Sequence, residues 1–396
     1  MQAFRFTRRT IAAFALLAAA PLAALSQGKE PMKIGLASSK SGVFAQQGEE
    51  VIRAVQFAVE EANARGGVDG RQVLVQTADD ESTPEAARRV AEKLARDGHN
   101  LLIGSIPSSA SLALSQSLDR WNALYFTVAS KSDKLTGDTC RPRHFRTNHS
   151  DAMDLAMIVE WSKTFKEKKF AVLGADYVWG RDSGEAFERA VKSMGKSVSL
   201  SLYAPLGTKD FSPYIAQLKA SDAEAIWVAE VGRDAIAFIK QAQEFGLIPA
   251  KKIIGHALIQ NFVVDATGTA LENTIGNTAY SPDIDTPRNK AFVANWKARF
   301  NRLPTDNEGQ AYNGMLVMFD GVKKAGSVKP EDVAKALRGA TVESLYGPAL
   351  MRAQDNQLVL PNYAGRVKRV EGVLRPVVEQ RFGAALTPPP SPLCKM

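Results

Sequence analysis

Residues 101–118 read LLIGSIPSSASLALSQSL. An apolar run stops at Gly104, and Ser108 and Ser109 then open a helical pattern. A strand that ends in such a turn presents unpaired backbone N–H groups, the positive end of a helix dipole and two hydroxyls. Two chemistries suit it. The turn can cradle a carboxylate, or one serine can act as a nucleophile, which requires a base and an orienting acid within reach. No G-x-S-x-G elbow occurs in the chain, which favours the cradle. A plain helix cap with no ligand is the third reading.

Other reactive residues form no catalytic set. His99, His144, His149 and His256 share no metal-ligand spacing, so neither a metal nor a cofactor is expected. Gly195-Lys196-Ser197 imitates the end of a P-loop, but Ala190 stands where its first glycine belongs, and a helix ends where one should begin.

Elements must position these groups. Residues 33–38 read as a strand, and the next run places Ile52, Val55, Val59 and Ala62 at helical spacing before Gly66-Gly67 stops it. QVLVQTADD is a second strand. The helix after it has Thr83 as N-cap, Pro84 at its first position and Gly98 at its end. NLLIGS and LYFTVA add two strands around the helix that Ser108 opens.

A second series follows: helix 151–167, strand 169–174, helix 182–194, strand 197–203, helix 211–220, strand 225–229, helix 233–245 and strand 252–255. Strands separated by helices of this length predict parallel sheets with right-handed crossovers. Two such series predict an α/β protein of two lobes. A Pro-rich break at 278–287 precedes helices at 288–301, 306–325 and 330–338, and the end alternates like antiparallel strands.

Ligands of open α/β sheets bind beyond the carboxyl ends of the strands. That selects residues 38–48, 104–110, 128–136, 174–182, 229–234 and 255–261. Within them lie Phe44 and Gln47, Ser108 and Ser109, Ala129 and Lys131, Tyr177 and Trp179, Glu230, and His256. For Tyr177 and Trp179 the alternative is core packing; for Phe44, a loop residue packed on its own lobe; for Lys131, a solvated surface; for Glu230, a helix N-terminal acid.

Length and composition agree. The 396 residues suit two lobes, and 45% apolar with 23% charged residues is ordinary globular composition. Arg5, Arg8 and Arg9, an apolar run of about fifteen residues and the small residues Ala24 and Ser26 form a secretory leader cut near Ser26-Gln27, with an uncleaved anchor as the alternative. Losing that leader takes the formal charge from +8 to +5. Basic residues are spread among acids without an aromatic-laced stripe, which argues against nucleic acid as a partner. Cys140 and Cys394, the only cysteines, either pair in an oxidising compartment or remain free thiols.

The stretch SGVFAQQGEEVIRAVQFAVEEANARGGVDGRQVLVQTADDESTPEAARRVAEKL resembles the opening of the type I periplasmic binding proteins that serve branched-chain amino-acid ABC transporters. GSIPSSA, LTG…FRTNHSD, DYVWGRD, GTKDFSPYIAQLKA and the terminal DNQ segment fit in order, so the resemblance covers nearly the whole mature chain.

The resemblance implies a clamshell of two Rossmann-like lobes joined by a three-strand hinge near Phe145, Tyr280–Asp283 and Val342–Tyr346. One lobe would be 32–144 with 284–343, the other 145–283 with 344–382, with a Pro-rich tail at 383–396. It implies a monomeric periplasmic protein that is no enzyme and hands a small carboxylate ligand to ABC permease subunits; a sensor that presents its closed form to a signalling receptor is the alternative. His99, His144 and His149 then read as surface or hinge residues.

By the same resemblance Ser108 holds the ligand carboxylate, Lys131 lies near a second carboxylate contact and Trp179 lines the cleft, while strand-end placement adds Ser109 and the Ala129 main chain at the carboxylate and Phe44, Tyr177, Gln47 and His256 at the other end. One departure stands out. The family commonly places an acid two residues after the glycine of IIGHALIQN, to pair with a ligand ammonium, and here Ala257 stands there. Either Glu230 or Asp176 replaces that acid and the ligand is an amino acid, or the ligand is an amine-free organic or aromatic acid.

Overall fold

The computed structural model describes residues 1–2, 29–163 and 165–396. The expected leader and its cleavage point, beyond the first two residues, lie outside the described residues.

The first sheet is all parallel, in the order β2 (Val73–Asp79), β1 (Met32–Ser38), β3 (Leu101–Gly104), β4 (Leu124–Thr127), β5 (His144–Arg146). Strands β3 and β4 are wholly buried, as strands covered on both faces must be. The helices that cover it are α1 (Ala45–Ala64), α2 (Pro84–Arg96) and α3 (Ser108–Ser115). Thr83 Oγ1 caps α2 by accepting the N–H of Ala86 at 3.2 Å.

The second series supplies α4 (Asp151–Ser162), β6 (Lys169–Ala175), α5 (Val178–Ser193), β7 (Ser197–Ala204), α6 (Ser212–Ala220), β8 (Ala225–Ala229), α7 (Gly232–Glu244), β9 (Lys252–Gly255), α8 (Asn261–Thr267) and β10 (Ile275–Thr278). The chain then returns to the first lobe. There α9 (Pro287–Phe300) sets Trp296 edge-on to Phe57 of α1 at 5.1 Å, followed by α10 (Asp306–Ala325) and α11 (Pro330–Leu337). A small hairpin, β11 (Thr341–Val342) and β12 (Ala349–Leu350), precedes β13 (Asn362–Val370) and β14 (Val373–Phe382). The second sheet runs β14-β13-β10-β9-β8-β6-β7, and β13 and β14 are its antiparallel strands.

Three segments join the lobes. The first follows Phe145 and the second lies between β10 and α9. The third is not at Val342–Tyr346. Gly347, at φ +96°, turns the chain back there, so that β12 pairs with β11. The crossing falls instead at residues 358–361, beside the first: the N–H of Leu358 donates to Arg146 O at 2.9 Å, and His149 Nε2 lies 2.9 Å from Pro361 O.

A disulfide joins Cys140 to Cys394 across 254 residues and ties the tail to the loop before β5. Among the described residues no helix is long and apolar enough to cross a membrane.

Candidate functional site

A narrow cleft, partly open to solvent, lies between the lobes. Each of the six strand-end loops contributes a wall residue. Phe44, Gln47, Ile106, Ser108, Ala129 and Lys131 come from the first lobe, and Tyr177, Trp179, Val231, Ala257 and Gln260 from the second. Ser109, His256 and Glu230 are not on the wall.

Asp80, fully buried after β2, holds the first-lobe loops together. It accepts from Ser39 Oγ at 2.6 Å, Ser105 Oγ at 2.7 Å and the N–H of Ser82 at 3.0 Å. Gly104 ends β3 at φ +113°, where a Cβ would sit 2.1 Å from Ala37 O, so the turn into α3 requires glycine. Ser130 Oγ closes the set by reaching Ser105 O and Ile106 O, each at 3.1 Å.

Ser108 is the first residue of α3, as expected. Its hydroxyl oxygen accepts the N–H groups of Lys131 at 3.3 Å and Ser132 at 3.2 Å. With both lone pairs engaged, the hydroxyl proton remains for a ligand acceptor. That polarity suits a carboxylate and opposes nucleophilic use, since among the described residues no base is bonded to Ser108.

Lys131 lines the cleft, but its ammonium is not a free charge. It forms a buried ion pair with Asp154 of α4, in the opposite lobe. Asp154 also accepts from His256 Nε2 at 3.1 Å, Asn277 Nδ2 at 2.8 Å and Asn362 Nδ2 at 2.8 Å. Burial would raise its pKa, but the Lys131 ammonium and the His256 bond hold it well below the usual carboxylate range. Any charge Lys131 presents to a ligand is thus already shared with Asp154.

His256 is fully buried behind the wall, with Nδ1 2.6 Å from Ser183 Oγ, which itself accepts Trp227 Nε1–H at 3.0 Å. The imidazole joins the Asp154 cluster behind the wall, and burial keeps its pKa low. Arg146, fully buried, donates to Lys131 O and Ser132 O, both at 2.8 Å, and so fixes the loop that Ser108 grips.

The aromatic wall spans both lobes. Phe44 meets Tyr177 edge-on at 6.2 Å. Trp179 lies in the first turn of α5, which starts earlier than the sequence reading because Gly180 lets the helix approach Ala175 O. Its indole N–H donates to Asp151 Oδ1 at 2.7 Å, which fixes the ring. The lobes touch closely nearby. Gly232 opens α7 at φ +56°, and a Cβ there would lie 2.4 Å from Val43 O of the first lobe.

No carboxylate replaces the acid missing at Ala257 on the wall itself. Asp176 is exposed and bonded to Arg181 at 2.6 Å. Glu230 is 1% exposed, and neither of its carboxyl oxygens has a hydrogen-bond partner. Burial, with Asp234 nearby, pushes its pKa well up. The folded state thus keeps a proton that the unfolded chain releases above about pH 4.3, and stability falls as pH rises toward the folded pKa. Glu230→Gln is expected to melt above the wild type at about pH 8, with the gap closing near about pH 4. A gap that is constant or reversed across that range, followed by thermal melts, contradicts a protonated Glu230.

The sequence reading missed Asn307 and Gln310, which enter the wall from the first turns of α10. The signal was present: Thr305 and Glu308 form a capping box that starts this helix. Asp306, Asn307, Glu308 and Gln310 are all buried, which an ordinary surface helix start would not require.

Comparison with known proteins places this geometry. The family model described as periplasmic binding protein matches residues 31–372. The leucine-, isoleucine-, valine-, threonine-, and alanine-binding protein of Pseudomonas aeruginosa is 28% identical over 344 residues, 86% of this chain and 91% of that protein. A solute-binding protein of an ABC transporter from Rhodopseudomonas palustris, solved with 3,4-dihydroxybenzoic acid, superposes with a TM-score of 0.82 at 25% identity, covering 90% of this chain and 98% of that one. A closed-conformation Brucella ovis structure of the same name as the Pseudomonas relative has a TM-score of 0.82 at 22% identity, over 92% and 99% of the two chains, and shares the fold.

Proposed function

The chain belongs to the periplasmic binding protein family and is a ligand-binding component of an importer, and from that premise we propose that its ligand is an amine-free aromatic or organic acid. The observation that carries this reading is the chemistry of the wall. None of its described residues is Asp or Glu, so a ligand ammonium would be desolvated without a carboxylate partner, at a cost of several kcal/mol. A carboxylate, by contrast, meets the Ser108 hydroxyl and the Ala129 main chain, and a flat ring meets Phe44, Tyr177 and Trp179. The 3,4-dihydroxybenzoic acid in the Rhodopseudomonas palustris neighbour supports the same class.

In this reading the protein is exported, works in the periplasm as a monomer and delivers its ligand to ABC permease subunits. It binds without turnover.

A second reading rests on Glu230. Its unpartnered carboxyl adjoins Val231 of the wall, and a branched-chain or other apolar amino acid that turned it toward the cleft would supply the missing cation. The name of the Pseudomonas relative supports that class. A thermal-shift panel separates the two, because a ligand that binds only the folded state raises the melting temperature. Benzoate-type acids are expected to stabilise the protein and leucine to leave it unchanged. Stabilisation by leucine with the aromatic acids silent overturns the first reading.

A further inference from the structure

Four amides line the cleft, and two carboxylates fix their directions, directly for Asn307 and Gln310 and through Asn307 for Gln260 and Gln47. Asn307 Nδ2 donates to Glu50 Oε2 at 2.7 Å, which turns Asn307 Oδ1 to accept Gln260 Nε2 at 3.3 Å. Gln260 Oε1 in turn accepts Gln47 Nε2 at 3.1 Å. This relay leaves Gln47 Oε1 over. Gln310 is oriented in the same way, since its Nε2 donates to Asp306 Oδ1. Both Gln47 and Gln310 are more than nine-tenths buried and line the cleft, and the carbonyl oxygen of each has no hydrogen-bond partner.

A buried acceptor without a donor is costly, and neither amide can turn over without setting its carbonyl oxygen against an acceptor that has no proton to give. A ligand that brings a donor removes that cost. We propose that Gln47 and Gln310 select a ligand carrying hydroxyl groups, so that the protein prefers a hydroxylated aromatic acid to its unsubstituted parent. This rests on the aromatic-acid reading above. It assigns the carboxylate to Ser108 and the ring hydroxyls to the two glutamine carbonyls. An ammonium is a donor too, but neutral carbonyls offer it no net countercharge.

Titration calorimetry with benzoate, 4-hydroxybenzoate, 3,4-dihydroxybenzoate and leucine tests this on the wild type, on Gln47→Met and on Gln310→Met. Methionine keeps much of the side-chain length and removes the acceptor. The wild type is expected to bind at least one hydroxylated acid about 10-fold more tightly than benzoate, and at least one variant to lose most of that preference, its affinity for the hydroxylated acid falling more than its affinity for benzoate. Equal affinity of the wild type for all three acids overturns the hydroxyl assignment and leaves the aromatic-acid reading standing. A preference that survives in both variants overturns the role of these glutamines. Leucine as the only ligand overturns both this inference and the reading beneath it. The wild-type series decides the first question even if a variant fails to fold.

Discussion

Lys131→Met is expected to lower the unfolding free energy by about 3–5 kcal/mol, the cost of leaving a buried charge without its partner. Asp154 is fully buried, and its remaining donors, His256, Asn277 and Asn362, are neutral groups that stabilise the anion less than an ammonium does. Combining the change with Asp154→Asn should recover part of the loss, because no charge then remains buried. Asp154 also sets a pH dependence. Its folded pKa is depressed, so the stability it contributes is present above about pH 3.9 and is lost as pH falls. The deficit of Lys131→Met should therefore narrow in acid. Chemical denaturation of the single and double variants measures all of this. A single variant within about 1 kcal/mol of the wild type would show that the ion pair across the lobes does not hold Asp154.

Ser108→Ala is expected to weaken acid binding by about 10- to 100-fold, the range for losing a hydrogen bond to a charged group. The effect has two sources. The ligand carboxylate loses the hydroxyl proton, and the Lys131 and Ser132 N–H groups lose their acceptor, which loosens the loop carrying Ala129. Ser109→Ala is the control. That side chain is half-buried and off the wall, so its affinity should stay within about 3-fold of the wild type. Calorimetry on the two variants decides the matter, and equal losses from both would remove the distinction drawn between these neighbouring serines.

Much of the architecture was legible because it rests on local patterns. Strands β8 and β9 and helix α10 fall on their expected residues, each marked by an uninterrupted apolar run or a helical period with a cap. All six strand-end loops reach the cleft for the topological reason that parallel strands deliver their carboxyl ends to one side. What local pattern could not convey was pairing between distant residues. Lys131 read as a cation facing a ligand because Asp154, which neutralises it, lies on another lobe. His256 stands at a strand end as expected, but Ser183 and Asp154 draw its ring behind the wall. The third crossing was misplaced for a related reason. Alternation around residues 342–346 reads the same whether the strand crosses between lobes or folds back at Gly347. Asn307 and Gln310 were missed because α10 belongs to no strand-end loop.

The central claim is that the turn at Ser108 is a passive carboxylate clamp facing an amide wall. A crystal structure of the protein grown with 4-hydroxybenzoate tests it most directly. The account predicts the carboxylate within hydrogen-bonding distance of Ser108 Oγ, with the ring between Phe44 and Trp179 and the hydroxyl turned toward Gln47 or Gln310. A ligand bound with its carboxylate away from Ser108, or outside the cleft between the lobes, contradicts it.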